Sequence, residues 1–189
     1  MNGDMPDVEA AFVSCDTRAA GRLAVSHLAS LGHRRIGMLS GPERYLPARG
    51  ELDGYLEATR TAGLREMVQV APWFTVEDGQ VAAARLMADG ATAMVCGSDL
   101  MALGAVRAAR AEGLSVPGDI SIIGFDDSPL MSFTDPPLTT IRQPVAAMSA
   151  AAVQMLANVI QGRPMRHRKF TFGPTLVVRG STGKASSRG

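Results

Sequence analysis

The stretch Gly97–Leu130, GSDLMALGAVRAARAEGLSVPGDISIIGFDDSPL, decides the fold. Just before it, Ala93–Cys96 is a short apolar strand whose end runs through Gly97 and Ser98 into a helix. Leu100, Leu103, Val106 and Ala109–Ala111 recur there at helical spacing. Gly113 stops the helix, and Val116-Pro117-Gly118-Asp119 turns the chain into Ile120–Phe125. That almost unbroken apolar run suits a parallel strand covered on both faces. Strand, crossover helix and strand together define an open parallel sheet, in which ligands bind at the carboxyl ends of the strands. Asp126 and Asp127 sit at such an end. Ser128-Pro129 supplies the N-cap and first position of the short helix that follows, which leaves Asp126 free to face a cleft.

Working outward, Phe12–Cys15 reads as a short strand, and Asp16 or Thr17 caps a helix over Arg18–Leu31 that Gly32 ends. Arg35–Leu39 is the next strand. Ser40-Gly41-Pro42 breaks it, and a second helix carries Leu52, Tyr55-Leu56 and Thr59 on one face. Thr75, followed by Glu77 and Asp78, starts a third helix that runs to about Ala88. The order β-α-β-α-(β)-α-β-α-β with short connections predicts a doubly wound α/β fold. Asp135–Pro144 (DPPLTTIRQP) is too rich in proline for a central strand and reads as a connection between two bodies. Val145–Ile160 is a helix with Val145, Met148, Ala152, Met155-Leu156 and Val159 in one apolar stripe. Lys169–Arg179 returns as strand broken at Gly173-Pro174, and the polar Ser181–Gly189 tail is expected to be disordered.

At 189 residues and 46% hydrophobic, the chain supports one well-buried domain. A net charge of +1 gives no global field toward nucleic acid or membrane. The basic cluster Arg163–Lys169 reads as a solvated loop. Cys15 and Cys96 lie far apart, and His27, His33 and His167 are scattered, which argues for a reducing compartment and against a zinc site. The amino terminus lacks the pattern of a secretory signal, and no stretch approaches a membrane span, so a cytoplasmic location is expected.

Enzyme signatures are missing: there is no GxxxxGK[ST], GxGxxG after a strand, GxSxG or HExxH. Ser98 and Asp126 could join a histidine as a hydrolase triad, but no histidine lies at a strand's carboxyl end. Asp126 with Asp16 or Glu51 could form an acid/base pair, a question that their separation decides. Binding is the better reading. A sugar-like ligand is held by carboxylates that accept hydroxyl hydrogen bonds and by an aromatic face against its C–H groups. Asp126 fits the first role.

The strings SDLMALGAVRAARAEGLSVPGDISIIGFDDSPL and DPPLTTIRQP, with DTRAAGRLAVSHLASLGHRRIGMLSGP upstream and TLVVRGST downstream, resemble the effector-binding domain of LacI/GalR-family bacterial transcription regulators. The resemblance covers most of Asp7–Thr182. It implies a periplasmic-binding-protein-like (type I) fold, mostly the C-terminal subdomain with a fragment of the N-terminal one. The implied division is a loose segment at 1–11, the effector-binding subdomain at 12–141, and a connection and helix of the other subdomain at 142–165. Return strands at 166–182 and a tail at 183–189 complete it.

By the same resemblance Asp126 contacts the ligand, Ser98 stands where many members carry a contacting Asn, and Phe74 matches the aromatic that lies against the effector. Phe74 could equally be ordinary core. Where members commonly carry an effector-contacting Arg, this chain has Glu51. Arg49 is two positions away, roughly 200° around a helix, and would serve only if that helix began later. A cleft without this cation is expected to disfavour anionic effectors and to prefer a neutral or cationic polyol.

The resemblance further implies a small-molecule effector, a sugar or polyol, no cofactor, and homodimerisation through Thr75–Ala88, Leu100–Glu112 and the loop near Met131–Asp135. Operator DNA would be read only through a helix-turn-helix that is not in this sequence. An isolated chain is accordingly expected to bind effector weakly. A stand-alone periplasmic-type sugar-binding protein is the alternative, and an α/β enzyme a third reading.

Overall fold

The computed structural model describes residues 11–163 and 168–186. Its chain order is β1 (Phe12–Cys15), α1 (Thr17–Ser30), β2 (Ile36–Ser40), α2 (Leu46–Thr61), β3 (Val68–Val70), α3 (Val76–Ala88) and β4 (Ala93–Cys96). There follow α4 (Asp99–Ala111), β5 (Ser121–Asp126), a single 3-10 turn over Pro129–Ser132, β6 (Thr139–Arg142), α5 (Val145–Ile160), β7 (Lys169–Phe172) and β8 (Thr175–Val177).

Six strands form one sheet in the order β3-β2-β4-β5-β6-β8, parallel except for β8. Alternate residues of the central strands point to opposite faces, so each strand feeds two cores. Ala93 and Val95 of β4 pack with Ile123, Phe125 and Ile141 under α1 and α2. Met94 and Cys96 pack with Ile122 under α3 and α4. Ile122 and Ile123 are both fully enclosed, and burying a side chain of that size contributes about 1.5–3 kcal/mol. Helices on both faces make this the doubly wound α/β architecture that the apolar runs predict.

The strand order reverses between β2 and β4, because α2 leads outward to β3 and α3 carries the chain back across to β4. A crevice therefore opens at the carboxyl ends of β2 and β4. The helices flanking it approach closely. A Cβ on Gly21 of α1 would come within 2.2 Å of the Glu51 carbonyl oxygen on α2, so only glycine allows the contact that fixes α2 beside the crevice.

Four expectations are corrected. Strand β1 stays out of the main sheet and pairs in parallel with β7, from Phe12 with Lys169 to Cys15 with Phe172. Thr139–Arg142 is an interior strand between β5 and β8, because Pro136, Pro137 and Pro144 flank the ladder without interrupting it. Ser128 makes no capping bond to the 3-10 turn, since its hydroxyl donates to Asp99.

The fourth correction concerns the tail, where residues 181–186 are tied down. Ser181 is fully enclosed, its Oγ donates to the Ile122 carbonyl and accepts from the Thr139 amide, and its own carbonyl accepts from the Ile122 amide. The candidate tail's last residues, 187–189, lie outside the described residues, as do the 1–10 segment and most of the basic cluster with His167. On α5 the expected stripe forms, but of its described residues only Met155 is buried.

Candidate functional site

A cavity of about 580 Å³ lies in the crevice. Four separate stretches converge on it: the first turns of α2 with Glu51, the loop after β3 with Phe74, the β4–α4 junction with Ser98, and the end of β5 with Asp126. Gln143, just beyond β6, closes one side.

Each side chain reaches the cavity for a local reason. Asp126 ends β5 with φ at +107° and Asp127 follows at +56°. Two consecutive non-glycine residues in this region are uncommon and strained, and here they send the two carboxylates in different directions. Asp127 turns inward: its side chain is 6% exposed, with Arg142 Nε at 2.5 Å and Arg179 Nη2 at 2.6 Å. Burial pushes its carboxyl up, but the hydrogen bonds and charges of Arg179 and Arg142 outweigh that and hold it below the usual carboxylate range. It is a fastening for the loop.

Asp126 turns outward, and its Oδ1 accepts one hydrogen bond from Gln143 Nε2 at 2.8 Å. Asp126 is exposed at the cavity mouth, and partial desolvation of its carboxyl raises it. The Gln143 amide pulls it down, and the nearby Asp99 pushes it up again.

Ser98 is the N-cap of α4, and its Oγ accepts the Met101 amide at 3.2 Å. Among the described residues nothing accepts its hydroxyl proton, which is left to donate into the cavity. Phe74 packs against the core and also lines the cavity. Its ring meets Tyr45 edge-on with centroids 5.5 Å apart. Gly41 makes room for it, since a Cβ there would lie 2.1 Å from the Phe74 ring. Trp73 points the other way, under the Arg44 guanidinium at 4.5 Å.

Glu51 is 4% exposed. Among the described residues no group hydrogen-bonds or ion-pairs with its carboxyl. Burial raises this carboxyl well above the usual range, and the Asp126 charge raises it further. Asp99, on the cavity floor, is a different kind of acid. Its Oδ2 accepts the Ser128 amide and hydroxyl at 2.7 and 2.9 Å, and its Oδ1 accepts Thr140 Oγ1 at 2.6 Å. Burial lifts it while those bonds restrain it.

Arg49 and Asp16 are not brought to this cavity. Helix α2 begins at Leu46, so Arg49 lies in its first turn and faces a second cavity of about 430 Å³, where Asp16 also lies. Arg49 donates to the Glu43 carbonyl, and Asp16 caps α1 by accepting the Ala19 amide at 2.8 Å. Pro47 lines both cavities and stands between them. Gln143, Tyr45 and Asp99 were missed as cavity residues. The position of Gln143 directly after Thr139–Arg142 is a signal only once that segment is taken as a strand ending beside β5.

No hydrolytic triad forms among the described residues. His33 bonds Thr92 and Ser121 at the amino ends of β4 and β5, and His27 bonds Thr182 on the same side, away from Asp126. Among the described residues no cluster of His, Cys, Asp or Glu could hold a metal ion, and no helix is long and apolar enough to cross a membrane.

Such a cavity, at the switch point of a doubly wound sheet and lined by acids, an amide, hydroxyls and three aromatic residues, is of the kind that binds small molecules. Residues 25–182 match the periplasmic binding protein-like domain family, and the chain belongs to it. It is 51% identical over 192 residues to the HTH-type transcriptional regulator MalR of Streptomyces coelicolor, a match covering 98% of this chain and 56% of MalR.

Among solved structures, the transcriptional regulator CelR–cellobiose complex aligns with a TM-score of 0.89 at 32% identity, over 95% of this chain and 57% of that one. A LacI-family regulatory protein from Chloroflexus aggregans aligns at 0.87 and 35% identity, over 96% of this chain and 67% of that one. The chain thus spans little more than half the length of MalR and of CelR.

Proposed function

We propose that this chain is the effector-sensing and dimerising portion of a LacI/GalR-type transcription regulator, with a sugar or polyol bound in the cavity that Asp126, Glu51, Ser98 and Phe74 share. The observation that carries the reading is their convergence at the switch point from four separate stretches of chain. Asp126 accepts ligand hydroxyls, Ser98 and Gln143 orient them, and Phe74 covers an apolar sugar face. Ligand closure in the longer protein would then alter how two subunits present their DNA-reading segments. The cellobiose complex of CelR supports a saccharide as ligand. We assign no catalytic role to the cavity.

In this reading α5 belongs to a second lobe, which accounts for the exposure of Val145, Val153, Leu156, Val159 and Ile160. Val81, Leu100 and Phe133, exposed on α3, α4 and the loop after β5, are the surface for a second copy. Calorimetry with cellobiose, ribose and other neutral sugars tests the assignment. Weak saturable binding that Asp126→Ala and Phe74→Ala abolish is expected. Absence of binding to every neutral sugar, or binding indifferent to both substitutions, overturns it.

A further inference from the structure

Glu51 is the one acid lining the cavity for which the described residues provide no hydrogen bond. Among these residues no enclosed side-chain polar atom lacks a partner, so its carboxyl oxygens must reach the cavity surface. The described groups lining that cavity include Glu51, Asp126 and Asp99, and no lysine, arginine or histidine.

Two further acids share the cavity with Glu51, and in the loop before α2 the Arg44 guanidinium lies over the rings of Tyr45, which lines the cavity, and of Trp73, at 5.0 and 4.5 Å. Asp126 faces Glu51 from the end of β5, and the Cys15 thiol of β1 is near enough to be pushed up to about 11, chiefly by burial and then by Asp16 and Glu51. Asp99, at the start of α4, has its oxygens engaged by Ser128 and Thr140. On α2 itself Arg49 and Asp53 face the second cavity, and Arg18 of α1 is paired with Glu57 at 2.9 Å. From β4 only the Gly97 backbone approaches.

On the saccharide reading above, we infer that Glu51 sets the charge the ligand can carry. It meets the ligand as an uncharged carboxylic acid that donates one hydrogen bond to a ligand oxygen. The cavity therefore takes uncharged saccharides and turns away phosphorylated or carboxylated ones. The physical reason is that Glu51 is buried while Asp126 is exposed, so a charge on Glu51, beside a second carboxylate and with no cation among the residues lining the cavity, is the costly one to keep. A neutral ligand that displaces the remaining water makes the charged form of Glu51 costlier still, so binding and proton retention support each other. Burial and Asp126 both act in the same direction.

The test is calorimetry of the full chain with cellobiose, maltose and ribose from pH 5.5 to 8.5, in buffers of low and high ionisation enthalpy. Affinity for whichever sugar binds is expected to fall at least threefold as pH rises, with proton uptake on binding at the alkaline end. Glu51→Gln, whose amide can donate but cannot ionise, is expected to lose the pH dependence of binding and the proton uptake. Glucose 6-phosphate is expected to bind at least tenfold more weakly than glucose.

A flat pH profile in the native chain, an equal slope in Glu51→Gln, or tighter binding of an aminated sugar with proton release overturns the inference and leaves the saccharide site standing. No binding of any sugar by either protein overturns the site itself, and the inference with it. Should Glu51→Gln fail to fold, proton uptake by the native chain decides alone.

Discussion

The two ends of the sheet treat buried polar groups in opposite ways. At the amino end, residues 179–183 cross the strand ends as a strap, and the polar groups there answer one another. His33 bonds Thr92 and Ser121, Ser121 is bonded by the Gly183 amide, Ser181 joins Ile122 to Thr139, and Arg179 donates to the Leu138 carbonyl and reaches on to Asp127 beyond the carboxyl end of β5. At the carboxyl end, among the described residues, Glu51's carboxyl has no hydrogen-bond partner, Ser98 keeps a proton to give, and Asp126 accepts one bond from Gln143. A buried polar group left unpaired costs about 1–3 kcal/mol, so a fold keeps such groups only where something else completes them. The closed end is architecture; on the proposed reading the open end is where the ligand completes the polar groups.

The comparison breaks most readily at the strap. In Arg179→Met, Asp127 retains only Arg142, whose side chain is half exposed, and the Leu138 carbonyl loses its donor. Removing one partner from a buried pair costs about 3–5 kcal/mol, and the remaining arginine places this case near 3. Urea unfolding should show the unfolding free energy drop by that amount, with a correspondingly lower midpoint.

A gentler perturbation of the same end is acid. Burial holds the His33 imidazole below its ordinary range, offset by the Gly183 carbonyl and reinforced by His27. The unfolded chain therefore takes up the proton first, and stability is lost as pH falls below about 6.5 toward the depressed folded value. The melting temperature should decline over that interval, and the Ser181 and Gly183 amides should exchange faster with solvent. His33→Gln should flatten the decline.

The strap also marks where sequence reading stops. Asp126 is legible because a run of apolar residues must end somewhere, and the carboxyl end of a parallel strand is where ligands sit. The alternation of Ala93, Met94, Val95 and Cys96 between two cores follows from strand geometry alone. By contrast, Ser181-Thr182-Gly183 looks like any polar tail, because its order comes from hydroxyl bonds to Ile122, Thr139 and His27, far away in the chain. The pairing of β1 with β7 is likewise non-local. Prolines around Thr139–Arg142 hide a strand whose ladder they never enter, and Gln143 is hidden with it. Arg49 could be judged only from where α2 starts, a boundary that no capping side chain announces.

At the open end the stability effects shrink while the binding effects grow. Ser98→Ala removes the hydroxyl that caps α4 and should cost about 1 kcal/mol in thermal unfolding. Ser98→Thr, which preserves the cap, should recover most of it. If the hydroxyl proton also serves the ligand, the alanine variant loses affinity by more than its lost stability explains, and the threonine variant regains both.

Asp126→Asn should move stability by no more than about 0.5 kcal/mol, because no other described element depends on that carboxylate. Asparagine tolerates a positive φ, and its carbonyl oxygen still accepts from Gln143. Binding should respond strongly: exchanging charged acceptors for a neutral amide forfeits about 1.5–3 kcal/mol, tenfold or more in affinity. The same substitution relieves the repulsion that keeps the proton on Glu51, so its carboxyl should ionise at lower pH in the asparagine variant. Residual sugar binding in that variant should therefore weaken at a lower pH than in the native chain. A shift of that kind shows that the two acids act on one ligand as a coupled pair, whereas unshifted profiles separate them.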